Sequence, residues 1–457
     1  MYKIILPYFI FVIMYRPDFS YLCALKISNM TPLRVAFYTL GCKLNFSETS
    51  TIARQFAERG YVRVEPHQQA DVYVLNTCSV TEQANRKCRQ AIHRFHALAP
   101  QAKVVVTGCY AQLQAKQVAE IEGVTLVVGQ DEKANIPALL ETADQHGRVR
   151  CADIAQSMGC VPAFSLGDRT RSFLKVQDGC DYRCSYCTIP LARGHSRNQP
   201  IAQLVEQAQT IAQRGVREII LTGVNTGDFG RSTGERFVDL LQALVQVPGI
   251  ERYRISSIEP NLLTDEVLEV CLQSPKVLPH FHIPLQSGSD RVLGLMRRRY
   301  RSELFAQRVE RVRELMPQAF VGVDVIVGFP SETEADFEAS RQLLESLHVS
   351  YLHVFPYSPR PNTPAAQMPD QVPAAVSRQR VAQLTELSKR LHEQFCDNQR
   401  GTSHSVLWES ARRDGQMFGF TENYIKVAAP YDPQLVNTIA SITLGEYQPQ
   451  GHCLAQF

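Results

Sequence analysis

Three cysteines that lie close together are the residues of this chain with the clearest chemical meaning. Cys180, Cys184 and Cys187 have the spacing C-x3-C-x2-C. A structural zinc site usually takes four ligands, often as two separate pairs. Three closely spaced thiolates can instead bind three irons of a [4Fe–4S] cluster and leave the fourth iron open. The spacing therefore predicts a cluster with a vacant position for a substrate or cosubstrate. The alternative is three unrelated thiols in a loop.

A second set of cysteines follows a repeated pattern in the first part of the chain. Cys42, Cys78 and Cys109 each stand at the end of a β-rich apolar run, and a helical pattern follows each of them. Strands that alternate with helices predict a parallel sheet, in which ligands gather beyond the carboxyl ends of the strands. We therefore expect these cysteines to converge on a second three-thiolate cluster. The alternative is that they are ordinary buried cysteines.

The residues around both sets resemble one known family. The run Cys180–Gly194 resembles the radical S-adenosylmethionine (SAM) superfamily, and in particular its methylthiotransferase branch. The segments Thr39–Asn45, Leu75–Cys78 and Thr107–Gln112 resemble the N-terminal domain of that branch. There the second set of cysteines would hold an auxiliary [4Fe–4S] cluster. The pattern around Asn45 predicts a helix N-cap, with Glu48 three residues on, and contact of Asn45 or Asn76 with the cluster is the alternative.

The resemblance also implies a division of labour between two [4Fe–4S] clusters. One SAM molecule would methylate a sulfur held at the auxiliary cluster. A second SAM, bound at the cluster of Cys180, Cys184 and Cys187, would be cleaved to a 5′-deoxyadenosyl radical. The radical would remove hydrogen from an adenine carbon, which then accepts the methylthio group. Because an aromatic C–H bond resists acid–base attack, the cofactors must carry this step.

The middle of the chain predicts a partial (β/α)6 barrel. Candidate strands are Phe173–Val176, Glu218–Thr222, Tyr253–Ser257, Phe281–Leu285, Phe320–Val327 and Tyr351–Phe355, with helical patterns between them. A barrel of this kind carries its chemistry at the carboxyl ends of its strands. The resemblance places Asn225, Gln286, Ser287 and Glu332 in the SAM pocket. Their other interpretation is ordinary loop residues.

The end of the chain predicts a small β-barrel. Residues 401–457 contain short β-like runs, and Gly419–Val427 resembles the core of a TRAM domain, a module found on RNA-modifying enzymes. The basic run that contains Arg297, Arg298 and Arg299 is a candidate contact for RNA phosphates. A net charge of +3 is too small to establish nucleic-acid binding, and such a run is often only a solvated face.

These segments predict an α/β protein of several domains. We expect a methylthiotransferase N-terminal domain at 31–145, a linker at 146–170, a radical SAM domain at 171–400 and a TRAM-like RNA-binding domain at 401–457. Residues 1–30 form an apolar N-terminal extension that is too short to span a membrane, and we expect translation to begin at Met30. The composition, 44% hydrophobic and 20% charged, is typical of soluble globular proteins. Thirteen cysteines without the spacing of a disulfide scaffold indicate a reducing, cytoplasmic setting.

The identity of the substrate is the most specific part of this interpretation. Three short sequences resemble motifs of the branch that acts on N6-threonylcarbamoyladenosine beside the anticodon of tRNA. They are Gly41–Asn45, Thr222–Asn225 and Ile255–Pro260. The implied product carries a methylthio group at carbon 2 of that adenine. Alternatives are isopentenyladenosine in tRNA, an aspartate of a ribosomal protein, or a non-catalytic iron–sulfur RNA-binding protein. We expect a monomer without membrane association, with tRNA as partner and with an electron donor and a sulfur source that the sequence does not identify.

Overall fold

The computed structural model describes residues 32–143 and 147–457. The apolar extension and the expected start at Met30 lie outside the described residues. Within the described ranges, no helix combines the length and the apolar character that crossing a bilayer requires.

The N-terminal domain is built on the predicted parallel sheet. Its six strands have the spatial order β2-β1-β3-β4-β5-β6, and every pair is parallel. Register pairs Thr39 with Asn76 and Asn76 with Thr107, so the three central strands end at the same level. The strands are β1 Arg34–Thr39, β2 Val62–Val64, β3 Val72–Thr77, β4 Lys103–Gly108, β5 Val124–Val128 and β6 Val149–Arg150.

Helices cover both faces of this sheet, which is why its central strands are continuous apolar runs. Every residue of β3 is buried. The helical pattern predicted after Cys109 is two short helices that break at Gln114, and β6 extends the sheet into the segment expected to be a linker. The helices are α1 Lys43–Glu58, α2 Glu82–Leu98, α3 Cys109–Leu113, α4 Ala115–Ala119 and α5 Ile136–Glu141.

Six parallel strands form the central barrel, in two sheets of three. The spatial orders are β11-β10-β7 and β12-β13-β14, and the amide of Ile258 donates to the carbonyl of His282 (3.0 Å) between the two halves. The six strands are β7 Ser172–Lys175, β10 Glu218–Thr222, β11 Arg252–Ile255, β12 His280–His282, β13 Phe320–Val327 and β14 Tyr351–Pro356. The short antiparallel pair β8 Gln177–Asp178 and β9 Arg197–Asn198 flanks the cysteine loop.

Side chains alternate along the barrel strands. Ile219, Phe281 and Val323 belong to the large core beneath the helices, whereas polar side chains such as Arg254 and Asp324 occupy intervening positions that face the barrel interior. The helices are α6 Ile189–Arg193, α7 Ile201–Ala212, α8 Phe237–Leu244, α9 Asp265–Gln273, α10 Asp290–Leu295, α11 Ser302–Leu315, α12 Glu334–Ser346 and α13 Ala374–Asp397.

The last part of the chain is a closed five-stranded barrel, which is compatible with the TRAM-like prediction. Its strands follow the order β15-β16-β17-β19-β18 around Trp408, which is fully buried. Arg252 of β11 donates to the carbonyl of Ser405 (2.7 Å), and Asn423 donates to the carbonyl of Gln318 (2.9 Å). These bonds join the small barrel to the central one. The strands are β15 Ser403–Arg413, β16 Gln416–Thr421, β17 Lys426–Pro430, β18 Ile439–Gln448 and β19 His452–Gln456.

Candidate functional site

Cys42, Cys78 and Cys109 converge at the carboxyl edge of the N-terminal sheet. Cys78 and Cys109 directly follow β3 and β4, and Cys42 lies just beyond β1. Gly41 has a φ of +111°, and a Cβ placed on it would lie 3.2 Å from Sγ of Cys78. Only glycine therefore lets the chain pass so close to Cys78 before it turns to Cys42.

Burial raises the pKa of two of these thiols. Desolvation raises the pKa of Cys78 to about 12, and Cys109 and Cys42 are close enough to add to that shift. Burial also raises the pKa of Cys109, and the positive charges of Arg193 and Lys133 oppose that shift. A bound metal deprotonates its thiol ligands, so Cys78 and Cys109 would release protons on loading.

Cys180, Cys184 and Cys187 lie in the loop after β8. Gly179, with a φ of +69°, precedes Cys180, and a side chain there would overlap the carbonyl of His195. The amide of Cys187 donates to the carbonyl of Cys184 (3.2 Å), which closes a tight turn. Burial raises the pKa of Cys180 and of Cys187 to about 12 each, and Cys184 contributes to both shifts.

A buried arginine contacts this loop from a distant part of the chain. Nη1 of Arg298 donates to Sγ of Cys184 (3.1 Å), and Nη2 pairs with the carboxylate of Glu259. The Arg298 side chain is only 4% exposed. Burial raises the pKa of Glu259, Arg298 opposes that shift, and the nearby carboxylates of Asp324 and Asp228 add to it. The guanidinium therefore places positive charge beside a sulfur that would carry negative charge in a cluster.

Packing and hydrogen bonds join the segments that carry the two sets of cysteines. Helix α3, which begins at Cys109, packs against helix α6, which follows Cys187. Arg193 at the end of α6 donates to Oδ1 of Asn45 (2.6 Å) and to the carboxylate of Glu48 (3.0 Å). The last residue of the short helix in the radical SAM-like region thus bonds directly to the helix that follows Cys42.

Glu48 is the centre of a buried ion network between the two domains. Its carboxylate contacts Lys133 (2.5 Å) and Lys175 (3.1 Å) as well as Arg193, and Asp178 pairs with Lys175 and Arg193 from the other side. Burial alone would raise the pKa of Glu48, but the three cations outweigh it and hold that pKa well below its usual range. The network fixes the relative position of the two cysteine sets because breaking it would leave buried charges without partners.

The one tight group of metal-ligating side chains among the described residues is not a cysteine triad. In the ranges that the structure describes, the one group of three His, Cys, Asp or Glu ligand atoms within 4.8 Å of one another is His282, Asp324 and His353. A zinc tripod would bring its sulfurs to about 3.8 Å, given Zn–S bonds of about 2.3 Å in a tetrahedron. Neither cysteine triad of the described residues therefore forms a ready-made tripod for a single ion.

The residues expected in a SAM pocket differ in whether they have bonds within the protein. Asn225 is buried, and neither its Nδ2 nor its Oδ1 has a hydrogen-bond partner among the described residues. Such an amide can bind a polar ligand. Gln286 has a φ of +67° and its backbone bonds to β13, while Ser287 lies 3.4 Å from the hydroxyl of Ser340.

Glu332, the fourth residue expected in the SAM pocket, has two bonds within the protein. Its Oε1 accepts from the amide of Gly328 (2.9 Å) and from Nη1 of Arg380 (2.5 Å). These bonds fasten α13 to the end of β13, and contact of Glu332 with SAM stays a prediction.

The arginine run also divides. Arg297 and Arg299 are exposed, and Arg299 lies over the ring of Tyr182, 4.0 Å from its centroid. Arg298 is turned inward to Cys184 and Glu259, so the prediction that it contacts RNA phosphates is corrected. Contact of Arg297 and Arg299 with RNA phosphates stays a prediction.

The N-cap interpretation of Asn45 is wrong. Helix α1 begins at Lys43, and Asn45 is a buried residue of its first turn that donates to the carbonyls of Leu40 (2.8 Å) and Thr77 (3.0 Å). Asn76 donates to the carbonyl of Asn45 (2.9 Å). Both amides brace the loops that carry Cys42 and Cys78. Sequence reasoning missed the roles of Glu48 and Arg193, although Arg193 lies within the motif that follows Cys187.

Two family descriptions match separate parts of the chain. Residues 34–129 match "Uncharacterized protein family UPF0004", and residues 174–344 match "Radical SAM superfamily". Among solved structures, the radical SAM methyltransferase TsrM from Kitasatospora setae, with cobalamin and a [4Fe–4S] cluster bound, has a TM-score of 0.54 at 15% identity. The match covers 74% of this chain and 77% of that one. At that identity the likeness concerns the fold alone.

Sequence relatives match nearly the whole chain. The threonylcarbamoyladenosine tRNA methylthiotransferase MtaB of Bacillus subtilis is 40% identical over 90% of this chain and 93% of its own length. The tRNA-2-methylthio-N(6)-dimethylallyladenosine synthase of Wolinella succinogenes is 36% identical over 82% of this chain and 88% of its own length. Both relatives are named for methylthio transfer or its product. The chain therefore belongs to the methylthiotransferase family of radical SAM enzymes.

Proposed function

We propose that this protein attaches a methylthio group to carbon 2 of N6-threonylcarbamoyladenosine in tRNA, next to the anticodon. The observation that carries the proposal is the packing of the helix at Cys109 against the helix after Cys187, which joins the segments that carry the two cysteine triads. The choice of nucleoside is supported by the name and the 40% identity of the Bacillus subtilis relative.

The cysteine triads would hold the two [4Fe–4S] clusters of the family. The clusters and SAM supply the sulfur, the methyl group and the one-electron chemistry. Cys42, Cys78 and Cys109 are the ligands of the auxiliary cluster in this proposal, and Cys180, Cys184 and Cys187 are those of the other. Asn225 offers SAM a side-chain amide that has no partner among the described residues.

The remaining side chains of the site position and shield it. Arg298 holds positive charge against Cys184, which favours the thiolate form. Asn45 and Asn76 brace the loops of Cys42 and Cys78. The Glu48 network keeps the two domains at a fixed separation, so that a substrate carbon held between them stays within reach of both cofactors.

Recognition of tRNA is assigned to exposed basic residues and to the C-terminal barrel. Arg297 and Arg299 are solvent-exposed beside the cysteine loop. Small barrels commonly bind single-stranded nucleic acid through basic and aromatic surface residues. A tRNA substrate would be met in the cytoplasm.

Nucleoside analysis of tRNA from a deletion strain tests the proposal. Digested tRNA should lose 2-methylthio-N6-threonylcarbamoyladenosine and accumulate the precursor that lacks the methylthio group. Expression of the wild-type chain should restore the product, whereas the Cys109→Ala variant should not.

Other results would redirect the assignment. Loss of the methylthiolated isopentenyl nucleoside instead would identify the sister tRNA activity. Unchanged tRNA with an unmodified ribosomal-protein aspartate would identify the protein-modifying branch. A reconstituted protein that binds RNA but never forms 5′-deoxyadenosine from SAM would be a non-catalytic RNA-binding protein.

A further inference from the structure

A cavity of about 650 Å³ lies where the three parts of the fold meet. Its walls include Lys43 at the start of α1, His282, Asp324 and His353 on the barrel strands, and Tyr424 of the C-terminal barrel. Sites for small molecules commonly have volumes of about 300–1,000 Å³. This cavity is therefore large enough for the base of a modified nucleoside and its substituent.

The walls of the cavity adjoin residues that neighbour each set of cysteines. Lys43 directly follows Cys42 in the chain. Asp324 lies near Glu259, which pairs with Arg298, and Arg298 in turn contacts Cys184. A group bound in the cavity would therefore lie beside an adenine that reacts between the two cofactors.

Positive charge in this cavity has no partner of its own. In the part of the chain that the structure describes, Nζ of Lys43 has neither a hydrogen bond nor an ion pair, although the residue is half-buried. Nζ of Lys426 lies over the ring of Phe418, 4.3 Å from its centroid, and contacts no described carboxylate. Asp324, the acidic residue of the wall, is bonded to Nε2 of His282 (2.9 Å). Cations that are withdrawn from water without a partner favour the binding of an anion.

The walls around these charges are aromatic. The ring of His280 lies 4.5 Å from that of Tyr424, and Phe420 stacks on Tyr424 at 4.9 Å. Nδ1 of His280 is buried and lacks a hydrogen-bond partner among the described residues. The cavity therefore offers apolar contact, an unpaired polar atom and unpaired positive charge together.

A metal ion is the competing occupant. Ligand atoms of His282, Asp324 and His353 lie within 4.8 Å of one another. The unpaired ammonium groups of Lys43 and Lys426 line the same space and would repel a cation. The charge balance thus favours an anion over a metal.

We propose that this cavity binds the N6 substituent of the substrate adenine and recognises its carboxylate through Lys43, with His353 as a second contact. The inference rests on the proposed function. The threonylcarbamoyl group carries a carboxylate and a hydroxyl, whereas the isopentenyl group is an uncharged hydrocarbon. A hydrocarbon would leave Lys43 desolvated and unpaired, and a polar site left unpaired in this way discriminates strongly against the wrong substrate.

The test measures binding of anticodon stem-loop RNAs to the reconstituted holoenzyme by fluorescence anisotropy. Three RNAs carry N6-threonylcarbamoyladenosine, its threonine methyl ester or isopentenyladenosine. The wild type should bind the acid about 30-fold more tightly than the ester, which corresponds to about 2 kcal/mol, the lower range for losing one partner of a buried charge pair. Lys43→Met should reduce that ratio to near one, and His353→Ala should reduce it less.

Matched variants keep this result separate from general damage to the protein. Lys43→Arg keeps the charge and should keep most of the preference for the acid. Lys389→Met removes an exposed lysine of α13 and should leave the ratio unchanged. Because acid and ester are compared on the same protein preparation, partial loss of folding lowers both affinities and does not change their ratio.

Four outcomes would overturn the inference. Equal affinity of the wild type for the acid and ester RNAs, or a preference for the acid that persists in Lys43→Met, would show that Lys43 does not recognise the carboxylate. Methylthio transfer to the acid RNA would still support the proposed function in that case. A stoichiometric divalent metal other than cluster iron, lost in His353→Ala, would place a cation in the cavity. Methylthio transfer to the isopentenyl RNA alone would defeat both proposals.

Discussion

At the scale of single residues, the sequence predicted the cysteines of the candidate site but not the side chains that contact them. Spacing indicates Cys180, Cys184 and Cys187 as candidate ligands because all three lie in one loop. Arg298 lies 114 residues from Cys184 and stands in a run of arginines that resembles a solvated surface. Its inward orientation depends on the pairing with Glu259, which only the folded barrel brings close.

The two orientations within the arginine run predict different effects on RNA binding. Arg299→Ala should lower the salt dependence of tRNA binding by about one unit of slope, as expected for loss of one phosphate contact. Arg298→Gln should leave the slope unchanged and should lower iron retention, because it removes the charge beside Cys184. Binding measured at several KCl concentrations checks this, and a lower slope in Arg298→Gln would show that Arg298 does reach RNA.

Substitutions in the two cysteine sets should affect different reactions. Cys78→Ala should still cleave SAM to 5′-deoxyadenosine but should transfer no methylthio group, because only the auxiliary cluster loses a ligand. Cys184→Ala should abolish both reactions. Chromatography of the small-molecule products and of the digested RNA measures them together. Full transfer by Cys78→Ala would refute the assignment of that cysteine.

At the scale of helices and strands, local periodicity predicted the elements that hold the site. The strands before Cys78 and Cys109 are buried apolar runs, and the structure confirms the parallel sheet they imply. Strands β2 and β6 were missed because runs of three and two residues carry no periodic signal. The Glu48 network was missed because its charges come from four separate segments and look like ordinary surface residues in the sequence.

The network predicts a large and pH-dependent contribution to stability. Glu48→Gln should lower the free energy of unfolding at pH 7 by about 3–5 kcal/mol, since it leaves buried cations without their anionic partner. The pKa of Glu48 is depressed in the folded state, so its contribution is fully present above the unfolded pKa of about 4.3 and is lost as the pH falls below that value. The difference between wild type and variant should therefore shrink below about pH 4.

Urea unfolding of the cluster-free chain between pH 7 and pH 3 measures this difference. Glu386→Gln, at an exposed pair with Lys389, is the matched control and should change the free energy by less than about 0.5 kcal/mol. A difference for Glu48→Gln that stays constant across this pH range would show that its carboxylate does not titrate as the buried network requires.

At the scale of the whole molecule, the sequence predicted the order of the parts but not what they form together. A parallel-sheet domain, a barrel and a small β-barrel follow one another as expected. The cavity at their junction combines Lys43, His353 and Tyr424, which are far apart in the chain. No local pattern relates these residues, so their joint role became visible only from the contacts between the three parts.

The central claim is that each cysteine triad holds its own [4Fe–4S] cluster at one shared site, and iron and sulfide content tests it most directly. Anaerobically reconstituted wild-type protein should contain about eight irons and eight sulfides per chain, the sum of two such clusters. A triple alanine variant of Cys42, Cys78 and Cys109 should retain about four of each, and so should the variant of Cys180, Cys184 and Cys187. About four irons in the wild type, or no loss in either variant, would contradict the account.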